Sequence, residues 1–225
     1  MLVELKQVSK FYSSETITTQ ALKTVDFSVS NGEFVIITGA SGSGKTTLLY
    51  VASGLEKATS GVVKLFDMPI GTMKDKILTD LRKSKIGFVF QFYNLLPNLT
   101  VYENVLLAAV IAANQDESSV INALETVGMS EAKDKYPNEL SGGMQQRVAI
   151  ARAIVNRPEI IFADEPTGNL DSVNSVQILE LFQTLNRTMG TTIVLVTHNP
   201  DFLPYATRSI ILKDGVIIHD ESIKV

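Results

Sequence analysis

The chain contains no cysteine, which rules out thiolate metal ligation and thiol catalysis and is compatible with a reducing compartment. It has no apolar run long enough to cross a bilayer. The longest, residues 105–113, is nine residues, whereas a spanning helix needs about 20. The opening Met1-Leu2-Val3-Glu4-Leu5-Lys6 lacks the charged-then-apolar order of a secretory signal, so a cytosolic protein is expected. No basic surplus is present. The net charge of −4 argues against a nucleic-acid surface, and no nucleic-acid partner is expected. Internal repeats, low-complexity tracts and long linkers are also missing. What remains is 225 residues, 45% of them hydrophobic, enough for one large domain with a substantial core.

The most informative stretch is Gly39-Ala40-Ser41-Gly42-Ser43-Gly44-Lys45-Thr46, which fits G-x-x-x-x-G-K-[ST] at every fixed position. It follows the apolar run Phe34-Val35-Ile36-Ile37, a buried-strand pattern, and precedes Thr47-Leu48-Leu49-Tyr50, which opens a helix. The glycines let successive backbone N–H groups turn onto phosphate oxygens, and the helix N-terminus adds partial positive charge. Lys45 is placed to reach the β- and γ-phosphates, and the Thr46 hydroxyl to ligate Mg²⁺. A Gly/Ser-rich linker is the plain alternative.

Around this stretch the sequence predicts two regimes. Val3, Leu5 and Val8 suggest a strand, and residues 21–29 alternate before the tight-turn pair Asn31-Gly32. Residues 62–66 and 86–90 read as further strands. From about residue 97 to 157 the pattern turns helical, with helices over 98–113, 116–127 and 141–156, the last ended before Pro158. Strands return at 160–163 and 193–196, separated by a helix over 172–189. This alternation argues for a parallel sheet. Residues 209–218, centred on Lys213-Asp214-Gly215, read as a closing hairpin.

Four apolar runs end in polar residues suited to nucleotide chemistry, and an open α/β sheet binds ligands beyond the carboxyl ends of its strands. One run leads to the phosphate loop. The second leads to Gln91, which suits Mg²⁺ or an attacking water and reports nucleotide state to a neighbouring surface. The third leads to Asp164-Glu165. Adjacent strand side chains point to opposite sides, so Asp164 is assigned to Mg²⁺ and Glu165 to orienting and polarising water. The fourth leads to His198, a candidate donor to the γ-phosphate, although a plain surface role is the usual one for such a histidine. His219 is read as solvated.

Leu140-Ser141-Gly142-Gly143-Met144 opens a second helix. Ser141 suits the N-cap, and Gly142 and Gly143 leave the helix start open to an anion. One phosphate loop already envelops its nucleotide, so the spare terminus suits a second subunit arranged head-to-tail. Spacing alone leaves an ordinary Ser-capped helix as an equal reading.

Together these residues resemble the nucleotide-binding domain of an ABC transporter, over essentially the whole chain and in the family's motif order. Residues 39–47, ending at Thr47, resemble its Walker A loop and Gln91 its Q-loop glutamine. Residues 140–144 resemble its signature, 160–165 its Walker B, Asn169-Leu170-Asp171 its D-loop, and His198 its switch histidine. By the same resemblance Tyr12 matches the aromatic that stacks on adenine. Met144 departs from the Gln or Glu usual there. Residues 90–105 and 164–171 are similar to the bacterial group that handles macrolides, lipoproteins and antimicrobial peptides and includes the cell-division ATPase.

The resemblance implies an α/β phosphate-loop NTPase fold with a parallel sheet, an N-terminal antiparallel β subdomain and an inserted helical subdomain. The core would comprise residues 1–96 and 158–225, and the helical signature subdomain 97–157. It implies ATP and Mg²⁺ as cofactors, and two copies that sandwich two ATP molecules between Walker A of one and Ser141-Gly142-Gly143 of the other. It implies an integral membrane permease as partner, holding the chain at the cytoplasmic face of the membrane. Phe92, Tyr93, Leu95 and Leu96 are then docking-groove candidates, with simple packing of the helical insertion as the even alternative. The expected activity is ATP hydrolysis driving export or mechanotransmission. A regulatory module that signals through a membrane partner without moving cargo is the second reading. A soluble phosphotransferase is the third, against which the signature counts.

Overall fold

The structure is a computed structural model that describes residues 1–13, 18–114 and 116–223. In chain order the elements are β1 (Val3–Ser13), β2 (Thr18–Val29), β3 (Phe34–Thr38), α1 (Lys45–Ala52), β4 (Ser60–Leu65), β5 (Met68–Pro69), α2 (Asp75–Lys85) and β6 (Ile86–Phe90). They continue as α3 (Val101–Ile111), α4 (Glu117–Thr126), α5 (Gly142–Ile154), β7 (Ile160–Asp164), α6 (Ser172–Met189), β8 (Thr192–Val196), β9 (Arg208–Lys213) and β10 (Val216–Ser222). They form two compact units, one of Met1–Leu78 with Thr192–Val225 and one of Thr79–Thr191.

In the first unit, β1 pairs antiparallel with β2 and β4, and β4 with β5. The β1–β2 register slips around Gln7 (φ 50) and Thr24 (φ 53), and bulges absorb the extra residues. Each bulge is tied down: Gln7 N–H donates to Asp26 at 2.9 Å and Thr24 N–H to Ser9 Oγ at 3.0 Å. β3 lies between β8 and β9, parallel to both, with every residue from Phe34 to Thr38 buried. Burial on both faces is why β3 and β8 read as continuous apolar runs rather than alternating ones. β9 and β10 form the expected hairpin, with Asp214 (φ 49) and Gly215 (φ 80) both left-handed, as a two-residue primed turn requires. Arg208 holds the hairpin through two 2.7 Å bonds to the Asp220 carboxylate and one of 2.8 Å to the Ser28 carbonyl.

In the second unit, β6 and β7 pair in parallel from Ile86↔Ile160 to Phe90↔Asp164. Phe88 stacks on Phe162 with ring centroids 6.0 Å apart. Phe162 and Phe182 are fully buried, and truncating either to alanine costs ~3–5 kcal/mol. The α3 helix begins at Val101 rather than Asn98 because Thr100 and Glu103 form a reciprocal capping box. Buried Asn104 also holds the preceding loop in a non-helical path. Its Oδ1 accepts from Leu96 N–H at 2.8 Å, and its Nδ2 donates to the carbonyls of Leu96, Leu99 and Thr100. The α2 helix has no counterpart in the apolar pattern. It presents only Leu78 and Leu81 to the interior, leaves Ile77 exposed and is otherwise polar, so periodicity carries little signal there.

Candidate functional site

In the first unit the phosphate loop lies directly between β3 and α1. Gly44 (φ 102) stands at the α1 N-cap in a left-handed conformation and supplies no side-chain cap. The helices α3, α4, α5 and α6 each have one, from Thr100, Asp116, Ser141 and Asp171. No side chain therefore caps the first turn of α1. Lys45 is buried, and its Nζ donates to the carbonyls of Gly39 at 2.9 Å and Ala40 at 3.1 Å. Ser43 Oγ is buried with no partner among the described residues. Buried, incompletely bonded donors around a bare helix start are what an anion satisfies.

The loop is held rigid from outside. Gly215 N–H donates to the Ser43 carbonyl at 2.9 Å, and Lys23 N–H to the Gly215 carbonyl at 2.8 Å. Gly39 (φ 153) and Gly44 press so close to the backbone carbonyls of Leu212 and Ala21 that a Cβ at either would collide. Only glycine serves at both, because the backbone angles and the space agree.

Tyr12 is 40% exposed, and its hydroxyl donates to Glu56 Oε2 at 2.7 Å. The Lys10 ammonium lies 4.9 Å from its ring centroid and 2.9 Å from the same Glu56 oxygen. Burial pushes the Tyr12 phenol above its ordinary pKa, against a hydrogen bond with Thr47 and with the Glu56 carboxylate adding to the rise. Burial draws the Glu56 carboxyl up, but bonds from Lys10 and Tyr12 outweigh it and hold the group below its usual range. This bracing by Lys10 and Glu56 was not foreseen from the sequence. The two-residue spacing of Lys10 and Tyr12 along β1 is its only trace. His198 is exposed two residues beyond β8. Thr197 N–H donates to the Ile37 carbonyl at 3.1 Å, so the exits toward His198 and Gly39 run side by side.

In the second unit, the register Phe90↔Asp164 sets Gln91 and Glu165 at neighbouring strand exits. Asp164 is 9% exposed and closes β7. Glu165 has left the strand. Its φ of 47 is left-handed, rare for a residue with a side chain. Strand alternation thus ends at Asp164 and does not set the direction of the Glu165 side chain, contrary to the sequence expectation. Gly168 N–H donates to the Glu165 carbonyl at 3.0 Å and closes the turn. Backbone strain of this kind concentrates at functional positions.

Ser141 caps α5 by accepting from Met144 N–H at 3.3 Å. Gly142 faces the Tyr93 hydroxyl, 2.8 Å from where a Cβ would stand, and Gly143 is packed against Asn174. Arg152, further along α5, donates to the Tyr93 carbonyl at 2.8 Å and the Asn94 carbonyl at 2.5 Å. Burial lowers its pKa, yet a guanidinium remains charged. Arg152 and Asn104 together brace the segment after Gln91, which presents Phe92 at 71% exposure. Neither role was foreseen from the sequence.

The sequence profile described as ABC transporter matches residues 22–168, well over half of the chain. The chain belongs to the ABC transporter family. Among its relatives is the lipoprotein-releasing system ATP-binding protein LolD of Cytophaga hutchinsonii, 47% identical over 204 residues, covering 89% of this chain and 93% of LolD. The bacitracin export ATP-binding protein BceA of Halalkalibacterium halodurans is 46% identical over 222 residues, covering 96% of this chain and 87% of BceA. Among solved structures, the dimeric post-hydrolysis state of the ATP-binding cassette MJ0796 of Methanocaldococcus jannaschii, bound to ADP and Pi, superposes with a TM-score of 0.90. It is 40% identical and covers 100% of both chains. The α/β phosphate-loop fold expected from the sequence is thus the one observed, and this ABC protein is an ATP-binding ATPase cassette.

The donor set fits magnesium nucleotide. Among the described residues no group of three His, Cys, Asp or Glu side chains is placed to hold a metal alone. Mg²⁺ commonly takes one or two protein oxygens and completes its shell with phosphates and water. Side-chain oxygens of that kind are carried by Thr46 in the first unit and by Gln91 and Asp164 in the second. Also among the described residues, no helix is long and apolar enough to cross a membrane.

Proposed function

We propose that this ABC cassette hydrolyses ATP in a head-to-tail pair with a second, identical copy and thereby drives a membrane permease from the cytoplasmic face. The observation that carries the reading is the pair of glycine-led helix starts: one without a side-chain cap beside a buried lysine, the other capped by an exposed serine. Tyr12 takes the adenine. Gly39, Ala40, Ser41, Gly42, Ser43, Gly44, Lys45, Thr46 and Thr47 hold the phosphates, Lys45 by exchanging the two loop carbonyls for phosphate oxygens. Thr46, Gln91 and Asp164 would hold Mg²⁺, which would supply charge neutralisation at the transferring phosphoryl group. Glu165 takes the proton of the attacking water, Gln91 orients that water, and His198 donates to the γ-phosphate. Ser141, Gly142 and Gly143 contact the nucleotide of the other copy. Residues 1–96 and 158–225 act as the nucleotide-binding core, and residues 97–157 as the helical portion that carries the signature.

Likeness to LolD and BceA supports a lipoprotein, peptide or drug-like cargo moved outward, or mechanical work on such a partner. Phe92 and Leu96, both exposed, serve as walls of the permease-docking groove. The test is Glu165→Gln. ATP binding should persist while steady-state hydrolysis falls by roughly 10²–10⁴, the range of a general base. Hydrolysis at the native rate would remove Glu165 from that role.

A further inference from the structure

The Gln91 side chain is seated rather than loose. Its Nε2 donates to Asn169 Oδ1 at 3.2 Å, and Asn169 Nδ2 donates back to the Gln91 backbone carbonyl at 3.0 Å. A backbone carbonyl only accepts, so the Asn169 atom facing it is the amide nitrogen. Oδ1 is then the atom turned to the Gln91 side chain, and an acceptor there demands the Gln91 nitrogen. One bond thus dictates the other, and the Gln91 carboxamide has a single orientation with Oε1 reserved as acceptor. Gly168 closes the seat: a Cβ there would stand 2.8 Å from Gln91 Nε2.

The seat itself is anchored. Gly168 N–H bonds the Glu165 carbonyl and Leu170 N–H the Thr167 carbonyl, both at 3.0 Å. Asp171 then caps α6 through Asn174 N–H at 2.9 Å. The loop that fixes the Gln91 amide is therefore the one that leaves β7 through the left-handed Glu165.

We propose that Asn169 is a positioning residue for Gln91: it holds the carboxamide so that oxygen, not nitrogen, is offered to the magnesium ion. The proposal rests on the reading of Gln91 given under Proposed function. Magnesium takes oxygen ligands, and a carboxamide free to turn presents its NH₂ as readily as its oxygen. Because Glu165 and Asn169 share one loop, the base and the metal ligand are set by the same piece of backbone.

The test compares binding of a fluorescent, non-hydrolysable ATP analogue with and without Mg²⁺ in the whole chain. Asn169→Ala should leave magnesium-free affinity unchanged. It should cut the gain in affinity on adding Mg²⁺ by about fivefold, the weight of one net hydrogen bond. Gly168→Ala, which retains Asn169 but crowds Gln91 Nε2, should shift the same quantity. Both positions are exposed, so neither change threatens folding. Adding Asn169→Ala to Gln91→Ala should produce no further loss, because the one residue acts through the other. Additive losses would overturn the role of Asn169 while leaving that of Gln91 intact. A Gln91→Ala chain with native magnesium dependence would remove the ligand reading and this inference together.

Discussion

The two glycine-led helix starts differ in what they lack. The α1 start has no side-chain cap, a left-handed Gly44 and a buried Lys45 already bonded to loop carbonyls. The α5 start satisfies Met144 N–H with its own Ser141, which is exposed. The first is a cradle within one chain: amides, ammonium and a buried hydroxyl converge on a loop braced by the β9–β10 hairpin. The second is a face, complete as a helix cap, with Ser141 exposed, Gly142 half-buried and Gly143 buried. A cradle binds its anion alone, whereas a face contributes only when another molecule brings an anion to it. That contrast is the physical ground for a shared nucleotide.

The cradle should fail hardest. Lys45→Ala removes its buried charge, and ATP affinity measured by titration should fall roughly a hundredfold, the weight of charge-assisted bonds at ~1.5–3 kcal/mol. Unchanged affinity would contradict the phosphate-loop reading. Ser141→Arg should do the reverse. It leaves ATP affinity of the single chain unaltered and abolishes the ATP-dependent dimer, because a long cation is placed where a second copy must approach. Ser141→Ala separates capping from contact. Loss of the N-cap should cost ~1 kcal/mol and lower Tm by about 2–4 °C without changing monomer ATP affinity.

The smallest effect lies away from both helix starts and serves as a control. Bonds from Lys64 and Lys6 hold the Glu4 carboxyl down to about 2. Because the folded value lies below the ordinary 4.5, the stabilisation is complete above that ordinary value. It is lost as pH falls through the interval toward 2. Glu4→Gln should flatten Tm against pH across that interval and leave nucleotide binding untouched.

The cradle was legible in the sequence because its parts are contiguous: a strand, eight residues that fit a fixed pattern, and a helix opening. The strand-end carboxylates and the Asp214-Gly215 turn were legible for the same reason. The face was only half legible, since Ser141-Gly142-Gly143 reads equally as a plain cap. Least legible was whatever depends on distant pairs. Gln91 and Asn169 are 78 positions apart, and Arg152 reaches carbonyls on a loop 58 and 59 positions away. Side-chain bonds to backbone atoms leave no trace in residue pattern. Glu165 shows the limit of a local rule: alternation along β7 stops one residue too soon to describe it.

The central claim is that one ATP is gripped by the cradle of one copy and the face of another. Light scattering on the Glu165→Gln chain, with and without ATP and Mg²⁺, tests it most directly. The account predicts a mass that doubles on adding ATP and does not double when Ser141→Arg is also present. A Glu165→Gln chain that binds ATP yet stays monomeric, or a dimer that survives Ser141→Arg, would contradict it.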